Sequence, residues 1–558
     1  MFHEEHVPRG TLKTLMNSSQ KHIGKLVDLF TEEIYDAEIV VRNGKIQSIE
    51  KSSTKSNSYI LPGLVDSHIH IESSMLTPQH FSRIAVSHGT VATVSDPHEI
   101  ANVLGLDGVR YMIENALGAE LKFFFGAPSC VPATCFESSG AEISADDIEY
   151  LFEKKGLKFL SEMMNYPGVI YDDPEVIRKI EIAKKHKRKI DGHAPGLTGA
   201  NLVKYIQAGI DTDHECSGIE EALEKIERGM IVQIREGSAA KNFDALWTLV
   251  DKFPDMVFLC SDDLHPDDLL DGHINKLLKK GVEKGINLFN LLRAVSINPI
   301  RHYDLPVGLL KVGNSADFIR VDDLVSFRVS ETYIGGKKVF DRLEGLKEVP
   351  PQRILNKFEA KRIEENSLVV PPKSNSVKVI TVKDGELLTK FFVASLEAVQ
   401  DDLVSDISQD ILKMAVLNRY ENEMPSLAFI NNFSLKKGAL ASSISHDSHN
   451  IIAVGVSNTE IAECINWIID NRGGVAVHDG IGVTGIPLPI AGIISDQKAE
   501  TVASLYKNIN NVAAGIGCSL KAPFMTLSFM ALLVIPDLKL SNKGLFDGCN
   551  FCFTSLYE

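Results

Sequence analysis

Residues 26 to 50, LVDLFTEEIYDAEIVVRNGKIQSIE, alternate apolar and polar positions around Asn43-Gly44. Both residues of that dipeptide tolerate positive φ, so the segment predicts a tight antiparallel hairpin. The pattern returns only over residues 304 to 342, in DLPVGLLKVGNSADFIRVDD and YIGGKKVF, with Gly335-Gly336 at the turn. The two flanks, residues 1–61 and 300–345, are expected to pair into one small composite β-sheet. Between them, over residues 62–299, apolar runs of four to six residues end in polar or ionisable residues and lead into helix-like stretches. Candidate strand ends fall at His68, Asp96, Pro128, Glu162, His193, His214, Glu236 and Asp262. Each interval has room for a loop, a helix, a second loop and a strand, which is the βα unit of a parallel sheet. Eight units in succession predict an α/β fold of the (β/α)8 barrel type, in which strand C-termini converge on one face and carry the chemistry.

After residue 345 the pattern breaks. Residues 346–372 hold Pro350-Pro351 and Pro371-Pro372 around a charged stretch, which reads as a helical linker. Residues 373–558 then mix short strands (VKVITV, NIIAVGV, GGVAVHDG) with stretches that read as helical (SDISQDILKMAVLNRY, TEIAECINWIIDN), so a separate C-terminal α/β domain is expected.

Composition narrows the function. With 44% hydrophobic and 24% charged residues, the chain of 558 residues is long enough for several cores and has nothing of a disordered or fibrous protein. A net charge of −16 and a pI near 5.6 argue against partners that are nucleic acid or an anionic membrane, both of which call for a basic face. The opening segment carries acids and no apolar leader core, and the longest apolar stretches, such as FMALLVIP, are too short to span a bilayer; a cytoplasmic protein is expected. Eight scattered cysteines do not make a disulfide scaffold, and the lone Cys549-x-x-Cys552 pair reads as incidental.

The sharpest local signal is LPGLVDSHIH, residues 61 to 70. On a strand, i and i+2 share a face, so His68 and His70 can present two imidazoles to one cation. An HxH alone is usually a coincidence. Here His193 in KIDGHAPG, His214 in GIDTDHECS, Asp262 in FLCSDDLHPDD and Glu162 in FLSEMMNYPG stand at later strand ends, and a carboxylate at Glu162 has two oxygens with which to bridge a metal pair.

Together these features resemble the amidohydrolase superfamily of metal-dependent hydrolases. More narrowly, SHIHIESSM, SDPHEIANV, SEMMNYPGV, DGHAPGL, DTDHE, CSDDLHPDDL and HDGIGVTGIPLP resemble the bacterial-type adenine deaminase family, over residues 61 to 496. The resemblance implies hydrolysis of adenine, with water as co-substrate, to hypoxanthine and ammonia in purine salvage. It implies two divalent ions per chain, manganese or ferrous iron, with zinc as an alternative. His68 and His70 would bind one ion, His193 and His214 the other, Glu162 would bridge, and Asp262 would touch the first ion and shuttle the proton. A glutamate at the bridging position, where cyclic-amide hydrolases carry a carboxylated lysine, needs no carbon dioxide.

Glu215, Glu72, His98 and Asp263 are candidates for holding or protonating the purine ring, with Glu215 placed beside Asp262 in the catalytic set. Each has a second reading as a partner that orients a ligand histidine, and for His98 and Glu99 that second or a plain loop reading is preferred. The C-terminal segments His446-Asp447-Ser448-His449 and His478-Asp479-Gly480 are expected to be solvated loops; the alternative is that one closes the barrel mouth or binds an extra metal, across a dimer if the chain is a homo-oligomer. Competing functions are guanine or cytosine deamination, cyclic-amide hydrolysis, and a catalytically silent scaffold.

Overall fold

The runs that end in ionisable residues fold as eight short parallel strands: Leu64–Ile69, Thr90–Ser95, Lys122–Phe125, Phe159–Met163, Lys189–Gly192, Thr212–Asp213, Ile231–Arg235 and Val257–Cys260. The computed structural model describes residues 19–384 and 386–558; the opening segment read above for a leader lies outside them. The strands pair as ladders of three, two and three. Between ladders, Ala127 bridges Leu160, the Asp211 N–H donates to the Ile190 carbonyl, and Ile69 bridges Asp262, so the last strand meets the first. Helices between strands carry the expected signals. In Pro174–Lys185, Asp173 caps the Glu175 and Val176 amides, proline stands in the first turn, and Val176, Ile180 and Ala183 are buried.

The two flanks share one seven-stranded sheet, in the order Lys337–Asp341, Val329–Ile334, Phe318–Val321, Tyr59–Pro62, Gln20–Asp28, Glu33–Arg42, Lys45–Lys51. Its two hairpin turns meet. Asn43 and Gly44 have φ of 52° and 74°, and a Cβ at Gly44 would lie 2.6 Å from the carbonyl oxygen of Gly335, in the other turn. Glycine at that position is required by conformation and by contact.

The C-terminal part departs from the sequence reading in two ways. The 346–372 connector is extended, with a single 3₁₀ turn at Glu365–Leu368; its prolines bar a helix at both ends, and its amides are satisfied by the body of the domain, Glu359 and Ala360 donating to the Arg419 carbonyl and Ile363 to Asn466. Within SDISQDILKMAVLNRY, Ile411–Leu417 is a strand rather than a helix. It is central in an eight-stranded sheet and buried on both faces: Leu412, Met414 and Val416 face one core, Ala415 and Leu417 another. A continuous apolar run of that kind has no period to tell strand from helix. TEIAECINWIIDN does form a helix, Asn458–Asp470, capped by Ser457. The C-terminal domain packs closely on the barrel, with one apolar core running from the barrel helices into this sheet. Asn450 donates to the Ser138 carbonyl, the Ser495 amide to the Met75 carbonyl, and Arg83 pairs with Glu500. No helix of the described residues is long and apolar enough to cross a membrane.

Candidate metal centre

At the C-terminal ends of the eight strands, under the C-terminal domain, lies a cavity lined by His70, Glu162, His193, His214 and Asp262 among others. His68, on the first strand, and His70, just past its end, bring their Nε2 atoms to 3.2 Å of one another. His70 Nδ1 faces the Asp96 carbonyl at 3.3 Å, which fixes the ring with Nε2 toward the cavity. Asp262 follows the eighth strand with a left-handed φ of 56°, placing Oδ1 3.5 Å from His68 Nε2 and 3.4 Å from His70 Nε2. Glu162 is two-sided. Its Oε1 lies 3.1 Å from His70 Nε2, while Oε2 lies 2.7 Å from His193 Nδ1 and 3.1 Å from His214 Nε2.

Burial would raise the Glu162 pKa, but the surrounding His193, His214 and His70 hold it well below the carboxylate range. Burial opposes protonation of His70, yet Glu162 and Asp262 raise its pKa well above the ordinary value. Asp262 is likewise held low against its burial, first by Arg235 and then by His68 and His70. In other words the carboxylates are balanced by protons on crowded imidazoles, and divalent cations can replace those protons. Mixed imidazole and carboxylate donors suit manganese, iron and zinc. The donor atoms fall into overlapping sets, His68 with His70 and Asp262, His68 with Glu162 and His214, and His193 with His214 and Glu215, each compact enough for one ion.

The remaining candidates separate. Glu215 lines the cavity, 3.5 Å from both His193 Nδ1 and His214 Nε2, and receives a two-pronged ion pair from Arg235 at 2.5 and 2.8 Å. Arg235 also reaches Asp262 Oδ2 at 2.5 Å. Asp263 lines the cavity and accepts from Ser73 Oγ at 2.5 Å; burial and the Asp262 charge raise its pKa. Glu72 is buried but does not line the cavity. Its Oε1 accepts the Ile100 N–H in the first turn of the helix His98–Leu104, and burial pushes its pKa up to about 7. His478 is also away from the cavity, paired with Glu463 at 2.8 Å.

One reading is corrected by burial. His446-Asp447-Ser448-His449 is not a solvated loop, since all four residues are at most 3% exposed and His446 and Asp447 line the cavity. His98 and Glu99 are cavity residues as well. Sequence reasoning missed Arg235 altogether, having set the seventh strand's end at Glu236, which turns outward to Lys280. The signal was present, because Gln233 and Arg235 are polar at i and i+2 of one short strand, the same spacing as His68 and His70.

Comparison with known proteins shows the family. The amidohydrolase family model matches residues 59–339, and the chain belongs to that family. A second model, the adenine deaminase C-terminal domain, matches residues 386–552. Three relatives named adenine deaminase come from Methanosarcina barkeri (50% identical; 96% of this chain, 99% of the relative), a Sulfurovum species (50%; 94% and 98%) and Salinibacter ruber (47%; 97% and 100%). Within the amidohydrolases, the chain is a member of the adenine deaminase family.

Proposed function

We propose that this chain deaminates adenine hydrolytically to hypoxanthine and ammonia, in purine salvage, at a pair of divalent cations in the mouth of a closed (β/α)8 barrel. The observation that carries the reading is a full donor set in a chain 50% identical, over nearly its whole length, to proteins named adenine deaminase. His68, His70 and Asp262 would hold one cation, His193 and His214 the other, and Glu162 would give one oxygen to each. Manganese or ferrous iron is the expected metal. When bound, such ions supply Lewis acidity that brings the pKa of water toward neutrality.

The reaction forms a bond from water oxygen to C6 of the ring and breaks the bond from C6 to the amino nitrogen. Both protons must leave the water for the product to carry its carbonyl, one matched by the proton gained at a ring nitrogen and the other passed to the departing amine. Asp262 is suited to both transfers. Arg235 binds its Oδ2, which keeps the carboxyl ionised and turns Oδ1 to the cavity, where it takes the proton and returns it. Glu215, ion-paired to the same guanidinium, is fitted to accept from a ring N–H, and Asp263, also in the cavity lining, is a candidate donor to a ring nitrogen. A wider outer cavity shares Glu215, Arg235, Ala240 and Leu387 with the inner one and offers a route for substrate and ammonia.

The test is adenine turnover, followed by the ultraviolet change to hypoxanthine, on protein whose manganese content is measured in the same sample. Loaded protein that leaves adenine untouched but consumes guanine, cytosine or a cyclic amide would overturn the substrate. Loaded protein that consumes none of them would return the scaffold reading.

A further inference from the structure

Beside the six donors just described stands a second cluster, built from both domains. His98 and Glu99 open the helix that follows the second strand; His446, Asp447 and His449 come from the turn between the strands Ala439–Ser442 and Ile451–Gly455. Glu99 Oε1 lies 2.6 Å from His446 Nδ1 and 3.4 Å from His98 Nε2. Asp447 Oδ1 lies 3.9 Å from His98 Nε2 and 3.7 Å from His446 Nδ1. Each of the two nitrogens thus faces both oxygens, and the donor atoms of His98, Glu99 and Asp447 lie close enough together for one ion. Their separations scatter about the roughly 3.3 Å edge of a tetrahedron of ligands some 2 Å from a cation. All four side chains are at most 4% exposed.

Two further observations point to a ligand. His98 Nδ1 is engaged by Asp96 Oδ2 at 3.0 Å, the carboxylate-to-histidine arrangement that leaves Nε2 as a lone-pair donor aimed into the cluster. In addition, Glu99 Oε2 and Asp447 Oδ2, the second oxygens of the two carboxylates in the cluster, and His449 Nε2 are buried without a hydrogen-bond partner. Glu99 Oε2 and His449 Nε2 come within 2.5 Å, yet out of hydrogen-bond alignment. Buried polar atoms of this density without partners are costly unless something sits between them.

We propose that Glu99, His98, His446 and Asp447, with His449 at the second Glu99 oxygen, bind a third divalent cation that latches the C-terminal domain onto the barrel mouth. Its ligands come from segments about 350 residues apart in sequence, so the ion ties the two domains at the edge of the cavity, in the manner of a metal clip closing a long loop. Its role is positional: it fixes the wall formed by His446 and Phe529, whose rings stack at 5.2 Å.

The experiment counts manganese by elemental analysis on the full-length chain after reconstitution and dialysis, and follows amide exchange over residues 443–450 with and without chelator. Wild type is expected to hold three ions per chain, and Glu99→Gln and the double variant His446→Ala/His449→Ala two. Chelation should speed exchange of 443–450 in wild type by roughly tenfold. His68→Ala, which disturbs the pair site, should lose an ion yet keep 443–450 protected, and this separates the latch from the deamination chemistry. Saturation of wild type at two ions, or three ions retained in Glu99→Gln, would overturn the proposal and leave the cluster as an ion pair between Glu99 and protonated His446.

Discussion

The seven-stranded sheet and the barrel mouth both bury histidines and treat them in opposite ways. His22 is 7% exposed in the sheet, edge-on to the rings of Phe318 and Tyr333 at 5.0 and 4.8 Å, with Nε2 unpartnered. Burial, helped by the Arg320 charge, lowers its pKa to about 4, so it is a neutral aromatic filler. His70 is as deeply buried, but carboxylates stand within 3.4 Å and its pKa moves the other way. Burial by itself removes charge. Only carboxylates converging from other strands make a buried histidine cluster that a cation can enter.

The largest effect should come from removing that convergence at its centre. Glu162→Ala is expected to lose at least ~10³ of turnover and to hold one metal fewer than wild type. The wild type should assemble without added bicarbonate. An unchanged metal count in Glu162→Ala, or a bicarbonate requirement, would end the bridging role. Next, Asp262→Asn should keep most of its metal while kcat falls by ~10² to 10⁴, because an amide cannot take up the proton; near-normal kcat would remove Asp262 from proton transfer.

Arg235→Met should act on both stability and rate. It leaves Glu215 and Asp262 as buried carboxylates without their shared cation, a change that costs about 3–5 kcal/mol when uncompensated. Metal-free variant should therefore melt well below metal-free wild type, with the gap narrowing on metal loading; equal gaps in both states would show that the guanidinium does not serve these acids. Smallest, His22→Phe should leave adenine turnover unchanged. The folded pKa of His22 lies below its ordinary 6.5, so its contribution is whole above pH 6.5 and drains away as pH falls toward 4. The wild type should lose about 2 kcal/mol over that window relative to His22→Phe, read from denaturant midpoints. Parallel pH profiles would show that His22 is not a neutral core residue.

What could be read in advance follows the range of the interactions involved. His68 and His70 announce themselves because two such residues on one extended run share a face by covalent geometry alone. The strand ends at Glu162, His193, His214 and Asp262 were legible through the repeat of apolar runs, although the strands themselves stop one or two residues before the last three. Arg235 was lost to a one-residue error in register, and such an error swaps the inward face for the outward one. His446 and Asp447 were lost for a different reason: nothing local distinguishes a solvated HDSH turn from one pressed onto a barrel mouth, since the burial comes from residues that lie hundreds of positions away. The same holds for Ile411–Leu417, whose neighbours on both faces make it a strand.

The composite sheet carries a consequence for how the chain is made. Tyr59–Pro62 pairs with Phe318–Val321, and Arg320 donates to the carbonyl of Ile23 across 297 residues of sequence. At ordinary synthesis speeds that separation is on the order of 15 to 60 s. During this interval the early hairpin and the first barrel strand have emerged, yet their partners have not been translated. The exposed edge at Tyr59–Pro62 is therefore a place where a nascent chain can be captured by the wrong strand. The demand that this edge places on chaperones should end once residue 321 is out, so a ribosome stalled before that point would hold a chain with the Tyr59–Pro62 edge open and one stalled shortly after it a chain with that edge paired.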